Sequence, residues 1–277
     1  MEMERDAGVI NVAYEMSGSG EPVVFIHGAL IADTFRLLLA EPGLDTNYKL
    51  ITYHRRGYGG SRHLKGPFSV AQHAADCGAL LAHLGVEQAH VVGHSYGGSV
   101  ALQLALDRPS LVRSLSLPEP ALFLGSTAEG YRDALAQGQQ QYRDHGAVTS
   151  VDEFLLPRFG QDYRRWLDQA LPEAFDQAVA DAPTWFEQEM PALRDWSFGE
   201  MELRRIAVPV LAVLGSDSDA LWHRFGATHK LLLQVLPDVE GFVLPGATHG
   251  LQIQNPRGMA EALAAFWARH PIPARVT

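Results

Sequence analysis

The sequence predicts an α/β protein in which a mostly parallel sheet is flanked by helices and carries one inserted helical lid. Short apolar runs rich in β-branched residues alternate along the chain with longer stretches of helical periodicity, the pattern of a parallel sheet covered on both faces. The alternation is interrupted once, by a long interval without a run typical of a buried strand. The 277 residues, 47% of them hydrophobic, suffice for one large core and such an insertion.

Seven apolar runs bounded by Gly, Pro or polar residues are predicted as strands. They are Val9–Glu15, Pro22–His27, Tyr48–Tyr53, Ala89–Gly93, Leu111–Leu117, Val208–Gly215 and Glu240–Leu244. Helical periodicity predicts the main core helices at Ser69–Leu84, Tyr96–Asp107, Ala220–Leu236 and Pro256–Arg269.

The interrupted interval is predicted to be a helical cap. Residues 1–119 and 200–277 then form the two parts of the core, and residues 120–199 form the cap. Three of the five tryptophans fall in this interval, at Trp166, Trp185 and Trp196. We expect most of its aromatic residues to pack the cap onto the core and a few to line a pocket, because ligand sites are mostly apolar and favour domain boundaries.

Composition narrows the range of partners. There are 22 Lys and Arg against 32 Asp and Glu, a formal charge of −10, so we expect no nucleic-acid partner. No apolar run reaches the roughly 18 residues that span a bilayer, and the N-terminus is charged, so a cytoplasmic protein without a membrane partner is expected. Cys77 is the single cysteine, which excludes an internal disulfide, and neither a metal nor another cofactor is expected.

The strongest local signal is a glycine-flanked serine between a predicted strand and a predicted helix. The run reads Gly93-His94-Ser95-Tyr96-Gly97-Gly98. A strand that doubles back into a helix at one residue needs small neighbours on both sides and projects the central hydroxyl outward. Ser95 is therefore predicted to be a nucleophile.

Together with this turn, two further segments resemble the α/β-hydrolase family, and the resemblance extends through nearly the whole chain outside the cap. Pro22–Ala29 is similar to the family's strand ending in His-Gly, and His54–Ser61 is similar to its D-x-R-G-x-G-x-S loop, with His54 where Asp is usual. The resemblance implies a serine hydrolase in which the backbone N–H groups of Ala29 and Tyr96 form the oxyanion hole.

Position selects the general base among twelve histidines. His249 follows the last predicted strand and precedes the last predicted helix, where the family places its catalytic histidine. His94 adjoins the nucleophile and is expected to pack beside the turn. His27 belongs to the oxyanion loop and is expected to organise that loop.

The acid of the triad has two candidate locations. In the family's usual G-x-x-D pattern after the strand at 208–214, Ser218 occupies the Asp position, and Asp217 and Asp219 each lie one residue away. Either Asp instead suits a turn or a helix N-cap. Glu119 follows the preceding strand, 24 residues after Ser95, where some branches of the family, including haloalkane dehalogenases and lactone-cleaving relatives, carry the acid. Glu119 is ranked first, with Asp219 and Asp217 as alternatives.

The predicted reaction is acyl transfer through an acyl-enzyme on Ser95, with a small to medium apolar ester or lactone as substrate. The alternatives on the same triad are a carbon–carbon bond hydrolase, an amidase or a cofactor-free haloperoxidase. A non-catalytic ligand receptor is the alternative outside enzymes. Dehalogenases and epoxide hydrolases are disfavoured because they resemble this fold but use an Asp nucleophile. The sequence is compatible with a homodimer and does not fix the oligomeric state.

Overall fold

A computed structural model describes residues 12–62, 68–122, 124 and 128–273. In these residues seven strands form one sheet, in the order β1-β3-β2-β4-β5-β6-β7. The strands are β1 (Tyr14–Ser17), β2 (Glu21–Ile26), β3 (Tyr48–Tyr53), β4 (Ala89–Gly93), β5 (Val112–Pro118), β6 (Val210–Gly215) and β7 (Val239–Leu244). β1 runs antiparallel to β3, and the other neighbouring strands are parallel. The predicted α/β fold with a mostly parallel sheet is confirmed.

Six strands lie within two residues of their predicted positions at either end, and the first does not. The run Val9–Glu15 was expected to form that strand, but pairing with β3 begins only at Tyr14 and continues to Ser17. Residues 9–11 lie outside the described part of the chain. The glutamate and the serine of β1 are weak strand formers, so pairing with the neighbouring strand, rather than local preference, sets its position.

Helices cover both faces of the sheet. In the core they are α1 (Arg36–Leu39), α2 (Leu44–Asn47), α3 (Val70–His83) and α4 (Tyr96–Asp107). Between β5 and β6 lie α5 (Ala128–Phe159), α6 (Tyr163–Ala170), α7 (Ala174–Pro183), α8 (Met190–Arg194) and α9 (Glu200–Arg204). The chain ends with α10 (Ser218–Leu221), α11 (Arg224–Val235), α12 (Leu251–Gln254) and α13 (Pro256–Arg269).

Alternation along the central strands divides the core into two layers. In β2, Val24 and Ile26 belong to the hydrophobic cluster that includes residues of α3 and α4. Val23 and Phe25 belong to the cluster on the other face, which includes residues of α13. Successive side chains of a strand point to opposite faces, so a strand buried on both sides has an almost continuous apolar sequence.

One predicted helix is wrong in its extent. The expected helix Ala220–Leu236 is two helices, α10 and α11, separated at Trp222, whose backbone is extended (φ −150°, ψ 98°). The Asp219 carboxylate accepts a hydrogen bond from the backbone N–H of Gly226 at 3.2 Å, in the first turn of α11. The Trp222 ring stacks on Tyr131, 5.5 Å between centroids. A tertiary aromatic contact therefore accompanies a break that helical periodicity does not reveal.

The inserted segment is helical, as predicted. Among the described residues between β5 and β6 there are helices and turns but no strand. The 32-residue α5 bends at Gly146 (φ 77°, ψ 177°), and a π-helical turn at Thr184–Glu189 joins α7 to α8. None of the helices in the described ranges combines the length and apolar character needed to cross a bilayer.

Candidate active site

Ser95 occupies a sharp turn at the carboxyl end of β4, immediately before α4. Its backbone lies at φ 53° and ψ −118°, a conformation that costs a non-glycine residue about 1–3 kcal/mol. Two hydrogen bonds hold it there: its N–H donates to the Pro118 carbonyl at 3.1 Å, and its carbonyl accepts from the Ala121 N–H at 2.9 Å. The adjacent end of β5 thus fixes the strained turn.

The glycines around Ser95 are required by close backbone approach. A Cβ atom on Gly97 would lie 2.0 Å from the Ile26 carbonyl oxygen, and one on Gly93 would lie 2.4 Å from the Gly97 carbonyl oxygen. These partners are backbone atoms of the sheet and of the turn itself, so they cannot move aside cheaply. The spacing of glycines that identified the turn in the sequence therefore has a direct steric cause.

We expect Gly97→Ala to lower the free energy of unfolding by about 3 kcal/mol or more, because the added methyl group must displace β2. Chemical denaturation at equilibrium measures this difference. Gly78→Ala in α3 is the matched control: its Cβ would lie 3.6 Å from the Leu104 side chain, an ordinary contact. That variant should be unchanged or more stable by about 0.5–1 kcal/mol. Equal stability of both variants would contradict this explanation of the turn.

Ser95, His249 and Glu119 form a continuous hydrogen-bonded chain. The distance from Ser95 Oγ to His249 Nε2 is 3.0 Å, and the distance from His249 Nδ1 to Glu119 Oε2 is 2.6 Å. The other carboxylate oxygen, Oε1, accepts a hydrogen bond from the Gly215 N–H at 2.8 Å. Residues from three separate segments are thereby aligned in the order predicted for a nucleophile, a base and an acid.

Glu119 reaches His249 because it follows β5 where the parallel strands end. Its backbone has a positive φ of 42°, and its N–H donates to the Val213 carbonyl of β6 at 3.1 Å. The residue is only 3% exposed. Burial raises the pKa of the Glu119 carboxyl to about 7, against the opposing effects of the Ser218 hydroxyl and the Gly215 N–H. Ser218, at the family's usual acid position, thus supports an acid supplied by the neighbouring strand.

The two alternative acids are directed elsewhere. Asp217 is exposed, and its carboxylate accepts a hydrogen bond from the Ser216 hydroxyl at 2.9 Å. Asp219 is exposed and bonds to the N–H of Gly226, as described above. The structure brings Glu119, and neither aspartate, to the imidazole of His249. Both aspartates take the turn and helix-end positions that their residue type favours.

Two neighbouring rings position His249: one stacks on its imidazole, and the other contacts its backbone carbonyl. The Phe225 ring stacks on it with 4.3 Å between centroids, and the His94 ring Nε2 lies 2.9 Å from the His249 carbonyl oxygen. Burial, followed by the positive charge of Arg158, keeps the pKa of His249 well below its usual value. With Nδ1–H donated to Glu119, the neutral ring presents Nε2 as an acceptor to Ser95.

The loop at residues 27–29, in which the oxyanion hole is predicted, packs against Ser95. A Cβ on Gly28 would lie 3.1 Å from Ser95 Cβ, and Ala29 lines the same cavity as Ser95. Tyr96 is the first residue of α4, so its N–H belongs to the unpaired donors of a helix N-terminus. His27 Nδ1 lies 2.8 Å from the Gly28 carbonyl oxygen, consistent with an organising role for that ring.

A buried arginine ties the oxyanion loop to the inserted segment. The Arg55 guanidinium donates to the backbone carbonyls of His27 and Gly28 at 3.1 and 2.9 Å. It also pairs with Glu189, which lies in the π-helical turn of the insertion, and both side chains are fully buried. The Tyr58 hydroxyl donates to the same carboxylate at 2.7 Å. Glu189 was not identified from the sequence, because its role depends on a partner 134 positions away.

His54 replaces the usual Asp of the loop and keeps a structural role. Its Nδ1 accepts a hydrogen bond from the Gly60 N–H at 3.0 Å, and its Nε2 lies 3.0 Å from an Asp33 carboxylate oxygen. One ring nitrogen therefore bonds within the 54–61 loop, and the other connects that loop to the segment that contains Asp33. This departure from the family pattern lies away from the Ser95 hydroxyl.

Two small adjoining cavities, of about 10 and 30 Å³, meet at Ser95. Both are lined by Ser95, Phe154, Arg158 and His249. The larger cavity is also lined by aromatic and charged side chains from the insertion, from the break between α10 and α11, and from the start of α11: Tyr131, Trp185, Trp222, Arg224 and Phe225. In the described ranges, no group of three or more His, Cys, Asp or Glu side chains is arranged to hold a metal ion.

Comparisons with known proteins identify the family of this fold. The family model described as alpha/beta hydrolase fold matches residues 21–256. A protein provisionally named a carbamate hydrolase, from Azorhizobium caulinodans, is 29% identical over 94% of this chain and 96% of its own length. The dihydrolipoyllysine-residue acetyltransferase component of the acetoin cleaving system of Cupriavidus necator is 34% identical over 65% of this chain, which covers 47% of that longer protein. The structure of the enol-lactonase from Burkholderia xenovorans LB400 superposes with a TM-score of 0.81 at 20% identity, covering 95% of this chain and 99% of that chain.

Proposed function

Because this chain belongs to the α/β-hydrolase family, we propose that it is a serine hydrolase that cleaves an ester or a lactone through an acyl-enzyme on Ser95. The observation that carries the proposal is the Ser95–His249–Glu119 hydrogen-bonded chain at the wall of a cavity. The carboxyl ends of parallel strands are where such sheets bind ligands. The nucleophile and acid both follow strand ends, and the base follows β7 in the next loop.

The first half of the reaction is formation of the acyl-enzyme. His249 Nε2 removes the Ser95 proton as Oγ attacks the substrate carbonyl carbon, and the alcohol of the substrate leaves with that proton. The ionised Glu119 stabilises the imidazolium and fixes the ring tautomer through the 2.6 Å hydrogen bond. The N–H groups of Ala29 and Tyr96 bind the oxyanion, and each such donor contributes about 100- to 1000-fold to turnover.

In the second half, water attacks the acyl-enzyme and the same groups act in reverse. His249 takes a proton from water and returns it to Ser95 Oγ as the acid is released. No step requires a cofactor.

The names of two similar proteins also support cleavage of an ester, a lactone or a related acyl bond: one is named a carbamate hydrolase and the other an enol-lactonase. The aromatic lining and small size of the cavities favour a small to medium substrate of largely apolar surface.

A series of p-nitrophenyl esters with acyl chains of two to twelve carbons, together with five- and six-membered lactones, tests the proposal. We expect turnover of at least one ester class, a preference for short and medium chains, and no turnover above background by Ser95→Ala. Binding of these compounds without turnover by the wild-type protein would contradict the proposal and favour a ligand receptor. Turnover of anilides in preference to esters would favour an amidase.

The pH profile of kcat/KM should have an acid limb with its midpoint at about pH 7. The group that controls it is the Glu119–His249 pair, because burial raises the pKa of Glu119 to about 7. A protonated Glu119 keeps its proton and donates a hydrogen bond to Nδ1, so the hydrogen of the neutral ring lies on Nε2, which then cannot accept the Ser95 proton. Activity is therefore present above the pKa of the pair and lost as pH falls through it.

Ser218→Ala tests this assignment. The Ser218 hydroxyl lowers the pKa of Glu119, so its removal should raise that pKa further and move the acid limb to higher pH. Ser216→Ala, two residues earlier and exposed, is the matched control and should leave the limb unmoved. Rates measured from pH 5 to 9 in a buffer of constant ionic strength give both midpoints. If the midpoint of the acid limb did not move in Ser218→Ala, the assignment of that limb to Glu119 would be contradicted.

A further inference from the structure

We propose that Arg158 forms a carboxylate-binding subsite beside Ser95, so that the preferred ester or lactone carries a negatively charged carboxylate near its reacting carbonyl. This inference rests on the proposed hydrolase function and identifies its substrate class more narrowly. In the sequence Arg158 is one isolated basic residue near the end of the longest helix, α5. The fold places it on the walls of both cavities that meet at Ser95.

The guanidinium of Arg158 lies on two aromatic rings. Its Cζ atom is 3.8 Å from the centroid of the Phe154 ring and 4.5 Å from that of Trp222. Its Nη1 donates to the Phe154 carbonyl at 2.6 Å. These contacts fix the plane of the group, while the half-buried side chain retains surface in the cavities. A fixed planar fork of N–H donors matches the two oxygens of a carboxylate.

Its charge is not balanced by a carboxylate of the protein. Two other enclosed arginines have one: Arg55 pairs with Glu189, and Arg56 pairs with Asp76. Arg158 has no such ion pair within 4.0 Å among the described residues. Burial lowers the pKa of its guanidinium, which reflects the cost of holding a positive charge there. An enclosed cation without a counter-charge strongly favours an anionic ligand.

A second guanidinium lies beside the same cavity. Arg224 lines the same cavity, with its Cζ 5.8 Å from the Trp222 centroid, so two guanidinium groups lie near one indole. The acidic side chain of that lining, Glu119, is already engaged by His249 and the Gly215 N–H. The chain as a whole carries a formal charge of −10, so this positive region is local to the site. Half-esters of dicarboxylic acids and carboxylated lactones have the required chemistry.

A matched pair of esters separates the subsite from the hydrolase function. Mono-p-nitrophenyl adipate and p-nitrophenyl hexanoate have the same acyl chain length and differ by the terminal carboxylate. At pH 8, we expect the wild-type KM for the adipate ester to be about 10- to 100-fold lower than that for the hexanoate. Arg158→Gln should remove this difference by raising the KM for the adipate ester, and Arg158→Lys should restore part of it.

Arg165→Gln is the control. Arg165 is 70% exposed on α6 and pairs with Asp162, so its replacement should leave both KM values unchanged. Equal wild-type KM values for the two esters, or an equal effect of Arg158→Gln on both, would overturn the subsite while leaving the hydrolase function intact. Failure of both esters to turn over would count against the hydrolase function alone.

A binding measurement tests the subsite without turnover. Ser95→Ala should bind monomethyl adipate in calorimetry and quench tryptophan fluorescence, because Trp222 lies under the guanidinium. The double variant Ser95→Ala, Arg158→Gln should bind at least about 10-fold more weakly, with far-ultraviolet circular dichroism verifying its fold. Equal binding by the two proteins, or none by either, would refute the subsite.

Discussion

Replacing Ser95 with alanine should lower kcat for an activated ester by about 10⁴-fold or more, since the substituted enzyme retains the oxyanion donors and the cavity but no nucleophile. The substitution removes a single oxygen atom from a partly exposed side chain, so the fold should be retained. Stopped-flow and steady-state release of p-nitrophenol measure the effect, and the burst of acyl-enzyme formation should disappear.

Ser110→Ala, on an exposed turn after α4, controls for the loss of a serine hydroxyl and should retain wild-type kcat. Circular dichroism and the midpoint of thermal unfolding verify that both variants are folded. Turnover by Ser95→Ala within about tenfold of wild type would show that another group attacks the substrate.

Glu119→Gln should lower kcat by about 10³- to 10⁴-fold, because the amide cannot stabilise the imidazolium or enforce the Nδ1–H tautomer of His249. Asp217→Asn and Asp219→Asn, measured under the same conditions, are expected to retain near-full activity, since both carboxylates are exposed and bond elsewhere. A collapse of activity in either Asp variant together with an active Glu119→Gln would reverse the assignment.

Stability distinguishes a catalytic loss in Glu119→Gln from unfolding. The pKa of Glu119 is raised by burial from 4.5 to about 7, so the ionised carboxylate disfavours the folded state at pH values above 4.5. Glu119→Gln should therefore be at least as stable as wild type in urea denaturation at pH 8. Loss of both activity and stability would instead indicate a structural role.

Local pattern and strand order were enough to predict which residues the structure brings together beside Ser95. Ser95 and its glycines form one contiguous signal, and His249 and Glu119 are each recognisable at the end of a predicted strand. Because parallel strands end at the same edge of the sheet, these positions had to converge. The choice of Glu119 over the aspartates needed the structure, which shows the buried carboxylate at β5 and the exposed ones after β6.

The features that the sequence did not reveal depend on contacts between distant segments. Arg158 and Glu189 are unremarkable in their local sequences, and their roles appear only where the inserted helices meet the core. The break at Trp222 likewise accompanies stacking on Tyr131 rather than a local helix-breaking residue. Periodicity and motif spacing predict local structure and the positions of strand ends. They do not predict which residues from several separate helices line one cavity.

The most direct test of the central claim is covalent labelling by a fluorophosphonate probe, with the modified residue located by peptide mass spectrometry. We expect one equivalent of probe per chain, attached to Ser95, at a rate that falls below pH 7 with the acid limb of kcat/KM. His249→Ala should label far more slowly. Absence of labelling in the folded wild-type protein, or labelling at a residue other than Ser95, would contradict the assignment of this chain as a serine hydrolase acting through Ser95.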